Sequence, residues 1–335
     1  MSEGPLPREG ATFEATPYGA LAIGIDLGGT RLRVALADLS GAIVDEADER
    51  ADPRGGTAFI ERIGTLAASM VAKRRARPRR LLGAALAVAG VPDPRTGSIL
   101  LAPNLPGFDR IDVGAELARA LGCPVRMEND VNMAALGEQW LGRCGDDFAF
   151  VAFGTGIGMG LVSGGRLIRG ARGAAGEIGW LPIGTDPFDP PSHAHGSLET
   201  AIGSLALVER YRELGGEAAD VRALFDRLAT GEAAAKAVLD EAARLLAAGL
   251  IAVRAIADPA RIVLGGSIGV RPELIERVRL WLDRGGAADL PVEASALGSR
   301  AGLVGAVRLG LAAARASLFG GAAPDSPPPL APPLQ

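Results

Sequence analysis

The chain has 335 residues, 48% of them hydrophobic and 22% charged, with a formal net charge of −4. That composition excludes wholesale disorder, and the negative balance leaves no general nucleic-acid footprint. No apolar run approaches the roughly 20 residues of a membrane-spanning helix, so a membrane protein is not expected, and residues 1–20 carry acids and prolines where a signal peptide needs an apolar region.

Residues 1–20 show no periodicity and read as a disordered tail. Leu21–Leu27 is a short apolar strand, followed by Gly28-Gly29-Thr30 and the alternating strands Arg33–Leu39 and Ala42–Ala47. Strand, tight turn and strand predict a hairpin rather than a strand-to-helix unit. Phe59, Ile63, Leu66, Met70 and Val71 recur at helical spacing. The helix ends in the basic run Lys73–Arg80, which reads as a solvated helix end complementing the dipole. Leu81–Ala89 is a buried strand, Ile111–Leu121 a helix, Val125–Glu128 a strand and Val131–Leu141 a helix. Strand Phe148–Phe153, the turn Gly154–Gly158, strand Met159–Ser163 and a hairpin at Gly164-Gly165 then repeat the opening pattern about 125 residues on. Helices around Leu205–Leu214 and Ala233–Ala257, strand Arg261–Leu264 with Gly265-Gly266, and helices Glu273–Asp283 and Gly302–Arg315 complete the ordered part. The Pro-rich segment 319–335 reads as a second tail. The weak internal duplication suggests two related α/β domains. Cys123 and Cys144 are too few for a disulfide framework and suit a reducing cytoplasm.

Glycine contributes 47 residues, about twice its usual share. Two glycine-rich turns are informative, because a backbone that approaches a phosphate closely needs residues without a Cβ and with free N–H donors. Gly154-Thr155-Gly156-Ile157-Gly158 fails as a dinucleotide fingerprint, since Met159 stands where the last glycine is required and a strand follows. Neither lysine of the chain lies in a P-loop. Asp26-Leu27-Gly28-Gly29-Thr30 suits a phosphate-gripping hairpin: Asp26 ends a buried strand where a carboxylate can hold hydrated Mg²⁺, and Gly28, Gly29 and Thr30 supply N–H and hydroxyl donors.

These two turns, with Glu128-Asn129-Asp130-Val131-Asn132-Met133-Ala134-Ala135-Leu136-Gly137-Glu138 and Gly170-Ala171-Arg172-Gly173-Ala174-Ala175-Gly176-Glu177-Ile178-Gly179, resemble the ROK family (repressors, open reading frames, kinases) over about residues 21–316. The resemblance implies the actin-like ATPase (ribonuclease H-like) fold, with two α/β domains around a cleft. Residues 21–124 with the returning segment 297–318 would form the smaller domain and 125–296 the larger. It also implies ATP and Mg²⁺ as cofactors, a sugar substrate, a cytoplasmic homodimer and no membrane partner. By resemblance Asp130 is the catalytic base; Asn129, Glu177 and Glu199 bind the sugar, and Asn104 is a further contact. Gly154, Thr155 and Gly156 face the phosphates, and Gly265 and Gly266 form the adenosine-side turn.

The chain departs from the family at one cluster. Trp180 occupies the position of a sugar-touching, zinc-binding histidine, and the cysteine positions of the family's zinc loop fall on Pro190, Ser192 and Ser197. His193 and His195 alone do not supply the ligands that zinc needs, so no zinc is expected. Trp180 either trims the pocket or stacks on a sugar face, or else turns into the core beside Leu181-Pro182. Only about 20 residues precede Leu21, too few for a helix-turn-helix, so direct DNA binding is not expected. The resemblance implies a glucokinase-type hexose kinase. The alternatives are a kinase for an N-acetylhexosamine or another sugar such as fructose, or a non-catalytic sugar sensor.

Overall fold

A computed structural model describes residues 19–73, 80–93, 95–100, 106–142 and 144–319. Nearly all of both expected tails, most of the Lys73–Arg80 run and Asn104 lie outside these residues. Strand β1 (Ala20–Leu27), β2 (Arg31–Asp38) and β3 (Ile43–Arg50) form an antiparallel meander, followed by α1 (Gly56–Ala72). Then come β4 (Arg80–Val88), a short ribbon of β5 (Val91–Pro92) and β6 (Ile99–Leu100), α2 (Val113–Leu121), β7 (Val125–Asn129) and α3 (Asp130–Trp140). The first sheet has the order β3-β2-β1-β4-β7, with β1, β4 and β7 parallel.

The second half comprises β8 (Phe148–Phe153), β9 (Ile157–Ser163), β10 (Arg166–Ile168), α4 (Pro190–His195), α5 (Ser197–Ile202) and α6 (Ser204–Glu213). It continues with α7 (Val221–Ala229), α8 (Ala233–Ala257), β11 (Ile262–Gly265), α9 (Gly266–Gly269), α10 (Pro272–Arg284), β12 (Val292–Ala294) and α11 (Ala301–Phe319). Its sheet has the order β10-β9-β8-β11-β12. In both sheets the first strand lies at the centre, an antiparallel meander lies on one side and parallel strands on the other. The repeat seen in the sequence is thus a repeat of topology.

Side-chain alternation decides which helices cover each face of β1. Leu21, Ile23, Ile25 and Leu27 pack with Phe59 and Ile63 of α1 and Leu117 of α2. The opposite face carries Ala20, Ala22 and Gly24, and these small residues admit α11 through Val307 and Leu311. A Cβ on Gly24 would stand 2.4 Å from the Val307 nitrogen, and one on Gly83 of β4 would stand 2.3 Å from the Ala314 nitrogen. Helix α11 therefore lies with its backbone directly on the sheet.

Helix α3 meets α11 in the same way. A Cβ on Gly137 would stand 2.2 Å from the Ala301 carbonyl oxygen, and one on Gly305 would lie closer still to that of Met133. Met133, Ala135 and Leu136 join Ala85 and Ala87 of the first sheet to Phe148, Phe150 and Val162 of the second. The buried Arg308 of α11 donates to the Leu136 carbonyl and to Gln139 Oε1, both at 2.8 Å, where its charge complements the carboxyl end of α3. One expectation needs correction: Gly298–Phe319 is long and apolar enough to span a membrane, the one such helix among the described residues, and more than half of it is buried inside the protein. Its apolar length matches the faces of β1, β4 and α3, as in a core helix. Both cysteines are free and buried, and burial pushes their thiols up to about 11 for Cys123 and about 12 for Cys144.

Gly305→Ala tests the α3–α11 contact, because its methyl would meet backbone rather than a movable side chain. Overpacking of this kind costs about 1–3 kcal/mol, and urea unfolding is expected to show a loss in that range. A loss below about 0.5 kcal/mol, the level of a neutral surface substitution, would contradict the packing.

Candidate active site

The parallel strands β1, β4 and β7 end on one side of the first sheet. Asp26 lies beside Ala87 and Ala87 beside Glu128; in the next row Leu27, Val88 and Asn129 are neighbours. Asp26 also faces Arg33 across the β1–β2 hairpin. Arg33 Nη1 stands 3.5 Å from Asp26 Oδ2 and donates to the Ser299 carbonyl at 2.7 Å. A Cβ on Gly302 would lie 3.3 Å from both Asp26 carboxylate oxygens, so the first turn of α11 closes over this group. Burial raises the Asp26 carboxyl above the usual range, and Arg33 opposes that rise. In the adjoining turn the Gly28 N–H donates to the Arg31 carbonyl at 3.0 Å, which leaves the exposed Gly29 and Thr30 as the outward-facing donors. The turn borders a cavity of about 640 Å³ whose lining includes Arg31, Arg50, Asp52 and Phe108.

Helix α3 begins where β7 ends. Asn129 is its N-cap, and its Oδ1 accepts from the N–H groups of Val131 (2.9 Å) and Asn132 (3.2 Å). Its Nδ2 donates to the Gly90 carbonyl at 3.1 Å. One amide N–H of Asn129 therefore remains for a ligand oxygen. With the cap supplied by its neighbour, Asp130 is released from that duty; its Oδ1 accepts from the adjacent Val131 N–H at 3.0 Å, and its own backbone N–H also favours the carboxylate. Burial is the main cause that pushes the Asp130 carboxyl up to about 6, and the charges of Asp26 and Glu177 add to it.

The turn after β8 closes through Gly154 N–H to the Gly156 carbonyl at 3.0 Å. Glu199 of α5 reaches under this turn, and its Oε2 accepts from the Ile157 N–H at 2.8 Å. A Cβ on Gly156 would stand 2.4 Å from that oxygen, so a side chain there would displace the carboxylate. Thr155 is held by its carbonyl, which accepts from Ser204 N–H at 3.2 Å. Gly154 lies beside Ser267, 3.4 Å from its Oγ when a Cβ is built, and Gly265 pairs in register with Ala152. Gly266 has φ +80°, and a Cβ there would strike the Phe153 carbonyl. The two glycine turns of the second sheet are thus neighbours. Gly158 in turn packs against Val131, next to Asp130.

Glu177 follows the glycine loop, and its carboxyl is raised first by burial and then by Glu199. Electrostatic coupling therefore runs through Asp26, Asp130, Glu177 and Glu199. Trp180 is 51% exposed, which removes the alternative that it turns into the core. Asn104 lies outside the described residues. At the former cysteine positions, Ser192 Oγ hydrogen-bonds Thr185 Oγ1 at 2.9 Å, Thr185 Oγ1 donates to the Ser197 carbonyl at 3.1 Å, and Pro190 opens α4. Among the described residues no group of three or more His, Cys, Asp or Glu is placed to hold a metal.

Two participants went unnoticed in the sequence. Arg33 was predictable in principle, since a hairpin closed at Gly28–Thr30 sets it opposite Asp26. Arg169 carried no local signal: its Nε donates to Glu128 Oε2 at 2.6 Å, across 41 residues of sequence.

A family model described as the ROK family matches residues 22–313. The bifunctional enzyme NanE/NanK of Brucella suis is 34% identical over 306 residues, which cover 90% of this chain and 55% of that protein. The chain thus spans about half the length of that relative. The beta-glucoside kinase of Listeria monocytogenes is 29% identical over 289 residues, covering 84% of this chain and 94% of that protein. Among solved structures, the ROK hexokinase from Thermus thermophilus superposes with a TM-score of 0.74 at 30% identity, covering 90% of this chain and 100% of the other. The two-sheet architecture is that of the actin-like ATPase fold. Motifs, topology and a match from the first strand into the last helix agree, and the chain belongs to the ROK family.

Proposed function

We propose that this protein is an ATP-dependent sugar kinase that phosphorylates a hexose at its primary hydroxyl, with Asp130 as general base. The observation that carries the reading is the state of Asp130: a buried carboxylate relieved of capping by Asn129 and acted on by the charges of Asp26 and Glu177 where β7 ends. A base with a carboxyl near 6 accepts a proton at neutral pH more readily than an ordinary aspartate. As the sugar oxygen bonds to the γ-phosphorus, the bond to the β-phosphate oxygen breaks, ADP leaves and the hydroxyl proton passes to the Asp130 carboxylate. Glu177 and the remaining oxygen of Glu199 would accept from sugar hydroxyls, and the remaining N–H of Asn129 would donate to one.

The phosphates would lie against Gly29 and Thr30 on one side and Thr155 and Gly156 on the other, with Gly265 and Gly266 on the adenosine side. Mg²⁺ fits Asp26, because this buried carboxylate already destabilises the Asp130 charge and a divalent cation held there through water relieves both. Its chemistry would be to neutralise charge on the phosphates. Closure of 21–124 with 297–318 against 125–296 would exclude water from the reacting groups. In place of zinc, hydroxyls of Thr185 and Ser192 would hold the α4 loop.

Three measurements test this reading. In a coupled ADP-release panel over glucose, mannose, fructose, N-acetylglucosamine and N-acetylmannosamine, at least one sugar is expected to turn over, and Asp130→Ala should lower kcat by about 10²-fold or more. Sugar binding without turnover would instead support a sensor, and turnover that survives Asp130→Ala would remove the base assignment. Preference for an N-acetylated sugar is the second reading, favoured by the exposed indole of Trp180 where an imidazole would be expected.

The second measurement uses stability of the free protein. The folded state holds the Asp130 proton more tightly than the unfolded chain does, so its contribution falls as pH rises from about 4 to about 6. At neutral pH the ionised group costs roughly 2 kcal/mol after screening by cleft water. Asp130→Asn is expected to raise Tm at pH 7.5 and to lose that advantage near pH 4; equal Tm values at pH 7.5 would contradict it. Thirdly, metal analysis of purified protein is expected to find no stoichiometric zinc, and about one zinc per chain would overturn the hydroxyl-held loop.

A further inference from the structure

We propose that Arg169 is a positioning residue for the sugar-side site: its ion pair with Glu128 fixes the glycine loop bearing Glu177 against the strand that delivers Asp130, and so sets sugar affinity. The inference rests on the reading of Glu177 as a sugar ligand and goes beyond it. Glu128 lies on β7, the edge strand of the first sheet, and Arg169 directly follows β10, the edge strand of the second. The pair therefore joins the two sheets at the edge where the acids gather.

The Glu128 carboxylate is fully engaged. Oε1 accepts from Asn132 Nδ2 at 3.0 Å and from the Asn129 N–H at 3.1 Å, while Oε2 accepts from Arg169 Nε. The side chain of Glu128 is only 9% exposed, against 40% for Arg169. Removing the guanidinium would leave a nearly buried carboxylate without its cation, which is costly. Asn129 and Asn132 flank Asp130, so Glu128 also orders the start of α3.

Arg169 anchors the loop twice. Its guanidinium is held by Glu128, and its carbonyl accepts from the Ala175 N–H at 3.1 Å, closing the neck of the loop. Within that neck Gly170 and Gly173 adopt φ +74° and +77°, and Gly176 adopts +96° just beyond it. Such glycines permit the path but lose much conformational entropy when ordered. An anchored loop meets that cost before the sugar arrives, and an unanchored one takes it from binding free energy.

The test compares Arg169→Gln, Glu128→Gln, the double variant and Arg169→Lys with wild type. Hydrogen exchange in the free protein reads the loop without any ligand: amides of 170–177 are expected to exchange at least about tenfold faster in Arg169→Gln, with segments away from β7 and the start of α3 unchanged. Unchanged loop exchange would overturn the proposal. Calorimetry and steady-state kinetics with the sugar turned over best should then show sugar Kd and KM raised about tenfold. The KM for ATP should stay within about twofold, Arg169→Lys should recover part of the loss, and the double variant should be no worse than either single one. Losses that multiply in the double variant, or a KM for ATP that rises equally, would show a merely structural role. Faster loop exchange with sugar affinity unchanged would overturn control of affinity and remove Glu177 from the sugar site, leaving kinase activity to its own assay. Should Glu128→Gln fail to fold, the half-exposed Arg169 variants carry the test alone.

Discussion

Backbone lies on backbone where α11 crosses the molecule. Gly24 and Gly83 admit it onto the first sheet, Gly137 and Gly305 admit it onto α3, and Gly302 lets its first turn close over Asp26. Contact at this distance leaves no room for side-chain adjustment, so the positions of β1, β4 and α3 are mutually determined. The two carboxylates that matter most, Asp26 at the end of β1 and Asp130 at the head of α3, are therefore held relative to one another by a helix that contributes no acid of its own.

Charge is concentrated on this frame. Four acids are linked electrostatically, and the charge of Asp26, at the end of β1, adds to the cost of ionising Asp130, at the head of α3. Arg33 answers Asp26 from within the first sheet, and Arg169 answers Glu128 from the second. The like-charge cluster is thus flanked by cations that touch its supporting residues, and its centre is left able to take up a proton or face a cation. Such an arrangement costs stability and is the kind of local conflict expected at a functional site.

The division of labour between Asn129 and Asp130 shows how much one residue of register decides. Both are good capping residues, and either could have closed the helix. Asn129 takes the cap with its carbonyl oxygen while its amide is tied to Gly90, so Asp130 falls inside the first turn without the capping role. The motif placed both residues at a strand-to-helix junction, and resemblance made Asp130 the base, but which of the two caps the helix was visible only in the structure.

Local patterning carried much of the fold. The apolar first strand, the alternation after Arg33 and the repeated strand–glycine–strand unit predicted both sheets' first hairpins, and the helical spacing after Phe59 and the helix expected around 233–257 match α1 and α8. Several elements were missed: α4, α5 and β12 are too short to show a period and bury only a few residues each, whereas α7 carries a legible helical spacing at Val221, Leu224, Phe225 and Leu228 after the N-cap Asp220. Helix 302–315 was expected, but its role was visible only in the packing of glycines on distant backbone. By itself the sequence determined the residue types at the strand ends, the glycine turns and the loss of the cysteine cluster, because these depend on local backbone chemistry. Tertiary structure alone decided that Trp180 faces solvent, that burial and then Asp26 raise the Asp130 carboxyl, and that Arg169 meets Glu128, because burial and charge act through space between segments that the chain order leaves far apart.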